Sequence, residues 1–142
     1  MSDEVILKGW KVVRKARPRR HSIGVAFISA IMSEKFGVTE YFLGKWTVPR
    51  DNCGPLAVFT TLETARSFAD MMRIYVDHPL CVHECEYVES DELTMWFICG
   101  DGIYNGERIS VRLGYCPPGT AFADSIVLGK YVNSVNKGII YD

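Results

Sequence analysis

The chain has 142 residues, 48% of them hydrophobic and 23% charged, with a formal net charge of −1. That length and balance predict one globular domain, residues 1–142, able to bury its own core, and they argue against a disordered chain. No apolar run approaches the roughly 18 residues that span a bilayer, and Met1-Ser2-Asp3-Glu4 lacks the basic-then-apolar order of an export signal, so a soluble, cytoplasmic protein is expected.

The charge is unevenly spread. Residues 1–21 carry seven Lys/Arg against Asp3 and Glu4, a local +5, and the remainder carries −6. Val5 to Val13 reads as a strand bearing Trp10. Pro18, which lacks an N–H, breaks the pattern that follows. Between them and just beyond, Arg14, Lys15, Arg17, Arg19 and Arg20 precede His21. Five cations in eight residues can neutralise phosphates, so this loop is the candidate contact for a phosphate ligand or nucleic acid. The competing reading is a solvated loop, since only Trp10 offers aromatic company nearby.

Ile23 to Met32 is an apolar run that periodicity leaves open between strand and helix. Val38 to Val48 alternates as one strand, and residues 49–55 form the clearest loop. Leu56 to Phe59 then reads as a short buried strand. Thr60 stands three residues before Glu63, the spacing of a capping box. Leu62, Ala65, Phe68, Ala69, Met72, Tyr75 and Val76 recur at helical spacing, which predicts a helix over about 62–77, stopped by Pro79.

The second half is β-rich. Leu80 to Val88 and Leu93 to Cys99 read as strands, Asn105-Gly106 as a hairpin turn, Ile109 to Tyr115 as a strand, residues 116–120 as a loop, and Ser125 to Val132 as the last strand. The class is α+β: a mostly antiparallel sheet with one principal helix packed on it.

Within Leu80 to Val88, alternate side chains share a face. Cys81, His83 and Cys85 point one way and Glu84 and Glu86 the other. The first set offers soft metal ligands, but ligands two apart on one strand rarely converge on one ion, and a core face is the favoured reading. The acidic pair suits either glycosyl-transfer chemistry or a solvated sheet face. The five cysteines show no metal-finger spacing, so no metal site is assigned, and with no export signal reduced thiols are expected. Gly100-Asp101-Gly102 matches neither a phosphate loop nor a dinucleotide fingerprint.

Two resemblances add to this reading. Tyr41-Phe42-Leu43-Gly44-Lys45-Trp46, then Gly54 to Phe59, then Glu63, Ala65 and Phe68, with Pro117 to Asp124 later, resemble a small prokaryotic and phage-type family without assigned activity. The strand end Phe59-Thr60-Thr61 running into a helix is similar to a block of ADP-ribosyltransferase-like folds. That resemblance implies NAD as cofactor, with Arg14 on its pyrophosphate, Thr60 and Thr61 near the nicotinamide ribose, and Glu86, with Glu84, as the catalytic carboxylates. The leading expectation is a non-enzymatic binding or interaction module, with the NAD-using transferase as its alternative.

Overall fold

A computed structural model describes residues 4–15, 27–29, 39–50, 53–73, 80–98 and 108–132. In chain order these hold strands β1 (Ile6–Lys15), β2 (Phe27–Ser29), β3 (Glu40–Tyr41), β4 (Trp46–Thr47) and β5 (Leu56–Phe59), helix α1 (Leu62–Met72), then strands β6 (Leu80–Glu89), β7 (Thr94–Ile98), β8 (Arg108–Arg112) and β9 (Thr120–Val132). A 3-10 turn at Leu113–Tyr115 joins β8 to β9. The class is α+β, and every strand ladder is antiparallel.

The main sheet curls until it meets itself. β6 pairs with β1 on one edge and β9 on the other; β9 pairs with β5, and β5 returns to β1 through Trp10↔Phe59. Closing a sheet removes exposed edges. β2 and β3 extend it beyond β1, and β4 lies outside β9. A separate ribbon of β7 and β8 attaches through the backbone of Trp96, bonded both ways to Gly54.

Alternation along the long strands divides the core. Val13, Leu56, Val58, Tyr87, Ile126 and Leu128 fill the inside of the curl. Val12, Phe59 and Val82 point outward on the opposite face and are covered by Ala65, Phe68 and Ala69 of α1, with the Phe59 and Phe68 rings 5.2 Å apart. The apolar stripe of α1 therefore has a defined partner, the β1–β5–β6 face.

Several boundaries differ from the sequence reading. Val38 to Val48 is not one strand: Gly44, with φ of 75°, turns the chain between β3 and β4. β9 starts at Thr120, so Ala121 to Asp124 is strand. The cap of α1 is Thr61, whose side chain accepts from Thr64 N–H, while Thr60 donates twice to the Gly119 carbonyl. The cap therefore falls one residue later than the capping box expected at Thr60 and Glu63, and Thr64 returns its hydroxyl to the Thr61 carbonyl instead of completing a box. Helical structure is described to Met72, with Arg73 after it; residues 74–79 and the Asn105-Gly106 turn lie outside the described residues. Of the run Ile23 to Met32, the described part, Phe27–Ser29, is strand.

Candidate functional site

β1 and β5 meet at Trp10↔Phe59 and then part. Past that point the same edge of β1 is taken up by β2, at Val13↔Ser29. Had the β1–β5 ladder continued, Val12 would stand opposite Ala57. Instead Lys11 crosses the opening and its Nζ donates to the Ala57 carbonyl at 2.6 Å. The ammonium also lies 5.3 Å from the centre of the Tyr41 ring, within cation–π range.

Above this seam is a cavity of about 330 Å³. Its wall is mostly apolar and aromatic. Phe59 and Phe68 come from the helix-facing layer, Trp96 from the attached ribbon, and Tyr115 and Pro117 from the turn before β9. The local sequence explains the shape. Pro49 and Pro55 line the cavity without requiring ladder N–H groups, and Gly54 exchanges backbone hydrogen bonds with Trp96 at its edge. Among the described residues, two charged side chains, Lys11 and the exposed Arg50, line the cavity, and no Asp or Glu does.

Lys11 is 8% exposed. Burial lowers its pKa from 10.5 to about 8, with the Cys85 thiol opposing the shift. Cys85, opposite Gly9 on β6, is itself pushed up to about 12 by burial, so its thiol stays neutral at ordinary pH. His83 stands directly across the ladder from Lys11. Its Nδ1–H donates to the Gly129 carbonyl at 3.0 Å and its ring meets Tyr131 edge-on. Desolvation depresses its pKa, with the Gly129 bond acting the other way.

The face of β6 bearing Cys81, His83 and Cys85 is thus a core face, as the alternation implies. No group of three metal-ligating side chains comes together among the described residues. Glu84 and Glu86 are exposed, stand opposite Trp10 and Lys8, and border a second groove.

The residues assigned to NAD chemistry are not brought together. Arg14 stands opposite Leu80, and Glu86 opposite Lys8. Six residues of strand separate those positions, about 20 Å. Thr60 and Thr61 are engaged at the start of α1. Arg14, Thr60, Thr61, Glu84 and Glu86 are all absent from the wall of the cavity over the β1–β5 seam, and of these only Glu84 and Glu86 line the second groove. Arg17, Arg19 and Arg20 lie outside the described residues, so the phosphate contact expected there rests on the sequence alone.

Lys11 itself is the residue that sequence reading passed over, counting it only as one of seven basic residues near the start. A signal was present. Trp10, Val12 and Val13 make both faces of this strand apolar, so a lysine between them is enclosed whichever face turns inward. Compared with known protein families, curated proteins and solved structures, the chain matches none of them.

Proposed function

We propose that the protein is a small-molecule-binding module whose ligand occupies the cavity over the β1–β5 seam. The observation that carries this reading is one buried amine set in a mostly apolar, aromatic wall that, among the described residues, holds no carboxylate. Ligand sites have this composition: a mostly apolar concavity with a few polar groups that fix orientation. A volume of about 330 Å³ is at the small end for such sites. It corresponds to about eleven water volumes, and so to a compact ligand. Its body is apolar or aromatic, facing Phe59, Phe68 and Trp96, and it carries an oxygen acceptor for the Lys11 amine.

Isothermal titration with compact aromatic acids and carbonyl compounds tests this. The expected result is saturable 1:1 binding by the chain that is lost in a folded Cys116→Trp variant, whose indole fills the cavity from its wall. Unchanged binding by that variant would place the site elsewhere.

A further inference from the structure

We infer that Lys11 captures a carbonyl ligand covalently, as an imine, in the cavity over the β1–β5 seam. The inference rests on the binding reading above and adds the chemical class of the ligand, an aldehyde or ketone on a compact apolar skeleton.

The geometry favours a reactive amine over a permanent ammonium. Among the described residues, the partners of Lys11 are the Ala57 carbonyl and the Tyr41 ring, and no acidic side chain pairs with it. An ammonium there has three N–H donors and one strong acceptor. A neutral amine keeps an N–H for Ala57 and has its lone pair left for an electrophile. Lysines held in apolar surroundings without a counter-ion are nucleophiles for this reason. The titratable side chains around it do not restore the charge. His83, across the ladder on β6, is buried and depressed toward its neutral form. Cys85 is a neutral thiol, Tyr41 presents its ring, and Arg50 at the rim is a cation. Burial accordingly brings the amine to a pKa of about 8, where a substantial neutral fraction exists at physiological pH.

The chemistry balances without a further reagent. The Nζ lone pair adds to the carbonyl carbon, a proton passes from nitrogen to oxygen, and the carbinolamine loses one water to give the C=N bond. Hydrolysis reverses it, so capture is reversible, and an apolar wall that excludes water favours the condensed form.

Reductive trapping on the unmodified chain is the test. The protein is incubated with benzaldehyde and cyanoborohydride, and the benzylated site is found by peptide mass mapping. The expected result is one benzyl group per chain, on Lys11, ahead of Lys8, Lys45 and Lys130 by tenfold or more in rate. Its rate should follow a titration centred near pH 8 rather than near 10.5. Benzylation spread over the exposed lysines, or none at Lys11, overturns the inference. Titration with benzoate, which binds but cannot condense, separates the two readings. Benzoate binding without Lys11 benzylation leaves a binding cavity and removes the imine; loss of both removes the site.

Discussion

Lys11 Nζ holds the Ala57 carbonyl at 2.6 Å across the point where β1 and β5 separate. One amine thus does at that position what a backbone ladder does elsewhere in the sheet. It does so under a penalty, because its charge is buried beside apolar neighbours and, among the described residues, lacks a counter-ion.

The penalty has a readable pH dependence. The folded-state pKa of about 8 lies below the unfolded value of 10.5, so between those limits the unfolded chain binds more protons. Stability therefore rises with pH across about 8 to 10.5, and the full cost is present below 8. The difference corresponds to roughly 3 kcal/mol. Lys11→Met removes that cost and loses a hydrogen bond to Ala57 worth about 1 kcal/mol. The variant should gain about 1–2 kcal/mol at pH 7 in urea denaturation, and its stability should no longer rise between pH 8 and 10.5. A variant less stable than the parent at pH 7 would show that the amine is a net contributor to the fold.

Gly9 controls how closely the sheet can close. A Cβ there would sit 2.8 Å from the Phe59 carbonyl oxygen and 2.9 Å from Tyr87 Cε1. The first obstacle is backbone, beside the Trp10↔Phe59 pairing that completes the ring of strands. Gly9→Ala should cost about 1–3 kcal/mol, the range for overpacking. Because the strain falls on the β1–β5 junction, it should also weaken ligand binding at the cavity, where a surface control such as Lys130→Ala should not.

The start of α1 distinguishes its two threonines. Thr61 supplies the cap, accepting from Thr64 N–H at 3.2 Å, so Thr61→Ala should cost about 1 kcal/mol. Thr60 is exposed and its hydroxyl donates at 3.2 Å to Gly119, so Thr60→Ala should cost clearly less. Gly119 has φ of 82°, and a Cβ on it would come within 2.6 Å of Thr64 Oγ1. Gly119→Ala should therefore exceed both, at about 2 kcal/mol or more, since a left-handed backbone alone costs an L-residue about 1–2 kcal/mol. Thermal melts of the three variants give the order. A Thr60 variant costlier than the Thr61 variant would return the cap to Thr60.

The same region shows what a sequence discloses and what it hides. The stripe Leu62, Ala65, Phe68 and Ala69 is a local, periodic signal, and α1 follows it. The alternation of Cys81 to Glu86 likewise separates the core face of β6 from its solvent face. Pairing is another matter. β1 meets β5 and β6 across separations of about fifty and seventy residues, and no short-range pattern encodes such partners. The cavity arises where one of those long-range pairings ends, so it was hidden with them. Cation clusters and acidic pairs draw attention because they are local. Lys11, alone among apolar residues, acquires its meaning only once both faces of its strand are known to be covered.

His83 provides the acid-side counterpart to Lys11. It is 2% exposed, and its Nδ1–H is committed to Gly129. Desolvation lowers its pKa below 6.5 despite that bond. As pH falls through 6.5, the unfolded chain takes up the proton first, so the stability that His83 contributes as a neutral ring is lost from there down to its folded pKa. Urea titrations between pH 7 and 5 should show a progressive fall in stability. In His83→Gln, which can keep a donor for Gly129 but cannot be charged, the part of the fall that begins near 6.5 should vanish, leaving the carboxylate-driven loss at lower pH. An undiminished slope in that variant would assign the acid sensitivity to other groups. Because His83 faces Lys11 across the β1–β6 ladder, its protonation also sets a second positive charge opposite the amine. Trapping at Lys11 should then slow more steeply in the parent chain than in His83→Gln once the pH falls to the folded-state pKa of His83, which lies below 6.5.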